Sequence, residues 1–142
     1  MGLSIFIEAN FVVLNIEDDD AAYYLLEIAF REVLGSARLY RAIDGYEALD
    51  FLQRSGRFAD APRPDLILCN LNLPRMDGLE VLAAIKANRL LSSISVAVFT
   101  SSALDADRAN CMALGAKAFM TKSPDFDSFV HQVRSACALV AA

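Results

Sequence analysis

Apolar residues fall along this chain in two alternating patterns. Short, largely apolar runs at residues 11–16, 37–43, 65–70, 95–100 and 117–121 have the length of strands, and runs of this kind suit strands buried on both faces. Between them the apolar positions recur at helical spacing. Ala22, Leu26, Ala29, Phe30 and Val33 mark a helix over residues 21–34, with Gly35 as its stop. Asp44-Gly45 opens a second helix to about residue 54, with Ala48, Leu49 and Leu52 inward. Residues 78–88 carry Leu79, Leu82, Ala83 and Ile85 on one face, with Lys86 outward. Residues 105–114 form a weakly patterned, Ala-rich helix stopped by Gly115, and a last helix after Lys122-Ser123-Pro124 sets Phe126, Phe129, Val130, Val133, Cys137 and Val140 on one side. Five strands alternating with five helices predict an α/β fold, a parallel sheet with helices on both faces. There is no internal repeat, linker or low-complexity segment.

The third strand carries the most informative punctuation. It ends at Asn70 and breaks at Leu73-Pro74-Arg75-Met76-Asp77-Gly78, because Pro ends extended pairing and Asp-Gly is turn chemistry. In a parallel sheet the strand ends share one edge, where open α/β sheets bind ligands. That edge collects Glu17 and Asp18 after the first strand, Asn70 after the third, Thr100 after the fourth and Lys122 after the fifth. Two carboxylates, an amide, a hydroxyl and an ammonium therefore converge. Taken alone, Glu17 to Asp20 would be helix capping, Thr100 an ordinary strand end and Lys122 a solvated charge. Their joint placement points to a pocket for a phosphoryl group and a hard cation. Mg²⁺ takes oxygen ligands and keeps several waters, so Glu17, Asp18 and the backbone carbonyl of Asn72 are its candidate donors.

Residues 65–78, with the strand ends above, resemble the third strand and following loop of a response-regulator receiver domain. The resemblance runs from residue 11 to the C-terminus and leaves residues 1–10 as an N-terminal extension. It implies the flavodoxin-like doubly wound sheet, strand order 2-1-3-4-5. In receivers an Asp at the end of this strand accepts a phosphoryl group, a Lys and Mg²⁺ neutralise its oxygens, and a Thr or Ser hydroxyl bonds one of them. Those last roles fall on Lys122 and Thr100. Phe119 stands where the family has an aromatic that swings inward with the Thr, although a core Phe would read the same way. The acceptor position is Asn70.

An Asp carboxylate attacks phosphorus to form an acyl phosphate, whereas the amide of Asn carries no charge and its nitrogen lone pair is delocalised. No Asp-type phosphorylation is expected at residue 70, Mg²⁺ affinity should fall, and Lys122 should lose its charged partner. Two further departures from the family stand out: Lys122-Ser123 replaces a Lys-Pro pair, and Asn15 puts an amide into the apolar first strand.

Composition narrows the classes. The chain has 142 residues, 56% of them hydrophobic, which fits one domain with a sizeable core. A net charge of −5 argues against nucleic-acid binding, and no apolar run is long enough for a membrane span. Cys69, Cys111 and Cys137 read as buried free thiols of a reducing cytoplasm. The apolar start lacks the basic leader of a signal peptide. His131 reads as a surface residue. No output domain is expected after the last helix, and the loop at 57–64 resembles that of single-domain receivers. The expectation is a stand-alone response regulator of a phosphorelay, docking on a histidine kinase or phosphotransfer protein, with its phosphoryl chemistry blocked at Asn70. The alternative is a constitutive interaction module, with apolar residues 138–142 as a possible homodimer seam. An enzyme with turnover is not expected, since no nucleophile and base pair is visible.

Overall fold

A computed structural model describes residues 11–141. The parallel sheet contains β1 (Val12–Ile16), β2 (Arg38–Ala42), β3 (Leu66–Cys69), β4 (Ser95–Thr100) and β5 (Ala118–Thr121), in the order β2-β1-β3-β4-β5. The helices between and after them are α1 (Asp20–Val33), α2 (Gly45–Gln53), α3 (Gly78–Ala87), α4 (Asp105–Ala113) and α5 (Phe126–Ala141), with a short 3₁₀ turn at Gly56–Phe58. The predicted elements are all present, with ends moved by a residue or two.

Strand parity sorts the core into two layers. Leu14, Ile16, Ile67, Cys69, Val96, Val98 and Phe119 pack with Ala48, Phe51, Val81, Leu82, Ile85 and Cys111 of α2, α3 and α4. Phe11, Val13, Leu66, Leu68, Ala97 and Phe99 pack on the opposite face with Leu26, Ala29 and Phe30 of α1 and Phe129, Val133, Ala136 and Cys137 of α5. A side-chain period of two explains the division, because successive residues point to opposite faces. Asn15 is buried without cost to the ladder, since its amide donates to the Leu68 carbonyl at 3.0 Å.

Two side-chain assignments are corrected. Lys86 is half-buried rather than outward, and its ammonium reaches the carbonyls of Ser92 and Ile94 at 3.2 and 3.4 Å. The stem covers apolar surface while the head finds the loop that leads into β4. Phe126, at the first turn of α5, is exposed, although its ring lies beside that of Phe129. All three cysteines are free and buried. The N-terminal extension and Ala142 lie outside the described residues, so the proposed seam at 138–142 is described only in part. Among the described residues, no helix is long and apolar enough to cross a membrane.

Candidate functional site at the strand ends

Backbone pairing continues past the strands and sets the site. The amide of Glu17 donates to the Ala42 carbonyl at 2.9 Å, that of Asn70 to the Ile16 carbonyl at 3.1 Å, and that of Lys122 to the Thr100 carbonyl at 2.7 Å. Each candidate residue is thus fixed by its neighbour strand before its side chain makes any contact. Glu17 and Asn70 flank the gap between β1 and β3, where the strand order reverses and the crevice opens.

The side chains meet on the Glu17 carboxylate, which is only 3% exposed. Lys122 Nζ donates to Oε1 at 2.7 Å, and Asn70 Nδ2 donates to Oε2 at 3.2 Å. The backbone amide of Asp19 also reaches Oε2, at 3.2 Å. Residue 70 offers Lys122 no carboxylate, and the ammonium pairs with Glu17. On its other side Asn70 Nδ2 faces the Asn72 carbonyl at 3.5 Å.

Thr100 is fully buried, and its hydroxyl accepts the Ser102 amide at 3.2 Å. Ser102 in turn gives its hydroxyl to Asp107 and accepts the Thr121 hydroxyl on its carbonyl at 2.7 Å. These bonds tie the β4–α4 loop to the end of β5. Phe119 is buried in the core, with the Arg108 guanidinium over its ring at 5.1 Å. Asp18 is exposed. Burial pushes the Cys69 thiol up to about 12, so the residue beside Asn70 offers no thiolate at neutral pH.

The donor set contains what Mg²⁺ uses, namely carboxylates and a carbonyl, but as arranged it does not fit a divalent cation. Both Glu17 oxygens are engaged by N–H donors, and Asn70 turns its amide nitrogen, not its oxygen, toward the acid. The neighbours of that nitrogen only accept hydrogen bonds, which fixes the amide's orientation.

Several supporting residues were not foreseen. Arg41, inside β2, donates Nε to the Glu17 carbonyl at 2.9 Å and Nη1 to Asp20 at 2.8 Å, while its guanidinium lies over Tyr23 at 5.1 Å. It anchors the acidic turn and offsets its charge. The sequence signal was an arginine in a strand that neighbours an acidic run. Asp44, buried, caps α2 through the Glu47 amide at 2.8 Å and binds Arg75 at 2.7 Å. Arg75 stands in the loop after β3 with φ of 65°. Gly78 starts α3 against β3: a Cβ there would lie 2.3 Å from the Asn70 carbonyl oxygen, so the Asp-Gly pair answers a packing demand as well as a turn.

The comparisons agree with this geometry. The response regulator receiver domain family matches residues 13–134. The chain belongs to the receiver family. It is 37% identical to the response regulator Rcp1 of Synechocystis sp. over 123 residues, 87% of this chain and 84% of that protein. It is 32% identical to the probable methanogenesis regulatory protein FilR2 of Methanothrix harundinacea, over 89% and 81% of the two chains. Among solved structures, the phosphorylated cyanobacterial phytochrome response regulator RcpA superposes with a TM-score of 0.83 at 33% identity, covering 89% of this chain and 90% of its own. The Mn²⁺-bound form of Rcp1 gives 0.78 at 37%, covering 88% and 90%. This receiver of two-component signalling is thus close to phytochrome response regulators. Receivers as a family bind Mg²⁺.

Proposed function

We propose that this receiver docks on a histidine kinase or phosphotransfer protein of a cytoplasmic two-component pathway, with acyl-phosphate formation blocked at Asn70. The observation that carries the reading is an amide placed between Glu17 and the Asn72 carbonyl, in a pocket otherwise equipped with Lys122 and a buried Thr100 hydroxyl. A neutral amide cannot displace a phosphoryl donor's leaving group as a carboxylate does. In the family's terms Lys122 and Thr100 would bind phosphoryl oxygens, Phe119 would follow Thr100, and Glu17, Asp18 and the Asn72 carbonyl would face the metal. Here Lys122 is held by Glu17 and Thr100 by Ser102 instead.

Beside the pocket, Ala22, Leu25, Lys122, Ser123, Pro124, Phe126 and Phe129 line a groove of about 180 Å³. Its exposed apolar side chains, Leu25 and Phe126, share the groove with Lys122, a surface suited to an amphipathic helix of a kinase. The protein acts by binding, without turnover.

A second reading has its own support. Phe119 is buried and the cluster is satisfied without a phosphoryl group, which suits a phosphorylation-independent interaction module, alone or as a homodimer.

Intact mass after incubation with Mg²⁺ and acetyl phosphate tests the block, on this protein and on Asn70→Asp. Only the Asp form is expected to gain one phosphoryl group. Gain by the unaltered protein at residue 70 overturns the block. Co-purification with cognate-operon histidine kinases tests docking: equal capture by both forms selects the constitutive module.

A further inference from the structure

The acceptors at the centre of the pocket are Glu17 Oε1, Glu17 Oε2 and the Asn72 carbonyl oxygen. Each faces a nitrogen of this chain: Lys122 Nζ at 2.7 Å from Oε1, and Asn70 Nδ2 at 3.2 Å from Oε2 and 3.5 Å from the carbonyl. We propose that the Asn70 amide and the Lys122 ammonium together take the place of a divalent cation, so that this pocket is assembled without metal. The proposal rests on the reading of the pocket as a receiver's phosphoryl site, and it concerns how the chain itself holds that site.

Charge and geometry both support it. The amide nitrogen sits between a carboxylate and a carbonyl, two groups that would repel each other's lone pairs if nothing positive lay between them. Its two N–H bonds present partial positive charge to both, and the ammonium neutralises the buried acid. A carboxylate at residue 70 would instead bring oxygens against Glu17 and Asn72, a cluster that only a cation or a proton can relieve. An entering cation must displace the amide and gains no charge from it. The lost negative charge and the occupied position therefore both act against metal binding. Among the described residues, no group of three or more His, Cys, Asp or Glu side chains is arranged to hold a metal ion.

Thermal unfolding in EDTA and in millimolar Mg²⁺, on the full chain and on Asn70→Asp and Asn70→Ala, tests this. The unaltered protein is expected to melt at the same temperature in both. Asn70→Asp should melt lower in EDTA and gain at least about 5 °C with Mg²⁺, the shift that ligand well above its Kd gives a domain of this size. Asn70→Ala, which takes the side-chain donor from the Asn72 carbonyl, leaves Glu17 Oε2 only the Asp19 amide and adds no charge, should melt below the unaltered protein in EDTA. A free-ion Mn²⁺ resonance signal should fall on adding Asn70→Asp and hold on adding the unaltered protein. The proposal is overturned if Mg²⁺ raises the unaltered protein's melting temperature as much as that of Asn70→Asp, or if Asn70→Ala melts in EDTA with the unaltered protein. No kinase enters any arm, so a failed docking experiment leaves these temperatures as expected, and failure here leaves docking standing.

Discussion

Two buried acids in this receiver meet cations in opposite ways. Glu17, at the end of β1, gathers donors from three loops: Asp19 from its own, Asn70 from the loop after β3 and Lys122 from the loop after β5. Asp44, before α2, divides its oxygens between the helix it caps and a single partner, Arg75, whose side chain is 63% exposed. The first acid is a junction where separate strands are brought to one point. The second is a fastening, one helix end tied to one loop. The difference follows from position. Glu17 lies at the reversal of strand order, where several chain segments arrive side by side, and Asp44 lies beyond an edge strand with few neighbours.

The largest expected effect removes the junction's charge. Glu17→Gln leaves the Lys122 ammonium without a carboxylate in a largely buried setting, and should cost about 2–4 kcal/mol in urea unfolding, below the full penalty for a fully buried pair because Lys122 is partly exposed. Asp44→Asn keeps a capping oxygen and loses a pair whose cation, Arg75, is largely exposed, so it should cost about 1 kcal/mol. Equal losses at the two positions would erase the distinction between them.

The glycines beside the two sites should differ next. A Cβ on Gly78 would meet the Asn70 carbonyl oxygen and the Leu71 Cα, which are backbone and cannot turn aside. A Cβ on Gly45, which follows Asp44, would meet side-chain atoms of Val81 and Met76. Gly78→Ala should therefore cost about 1–3 kcal/mol and disturb the Asn70 amide resonances in NMR, while Gly45→Ala costs less through repacking. A Gly45→Ala loss as large as that of Gly78→Ala would place the tighter constraint at the fastening.

The smallest expected effect lies at Arg75. Its left-handed backbone, φ of 65°, is a conformation that glycine adopts more readily. Arg75→Gly gives up the exposed pair with Asp44 and the stacking on Tyr46, and recovers that strain, so stability should stay within about 0.5 kcal/mol of the unaltered protein. A loss well beyond that would show that the fastening holds the loop after β3 firmly.

Much of this was legible in the chain itself. The strand and helix alternation, the meeting of Glu17, Asn70 and Lys122 and the three buried thiols follow from periodicity and from the common edge of a parallel sheet. What the chain left open concerns partners. Asn70 removes the carboxylate that Lys122 was expected to meet, and only the folded chain brings the ammonium to Glu17. Asp18, a candidate metal ligand beside Glu17, is exposed while Glu17 is buried. Arg41 and Arg75 escaped notice because their partners, Asp20 and Asp44, are 21 and 31 residues away.

The sequence by itself determined the layers of the sheet, the turn after β3 and the absence of a carboxylate at residue 70, because these depend on side-chain type and on period along the chain. Only the tertiary structure decided which way the Asn70 amide faces, which acid Lys122 chooses and what holds Thr100. Those choices are made by groups from strands distant in sequence, which meet only when the sheet is formed and must then satisfy one another's hydrogen bonds within a buried space.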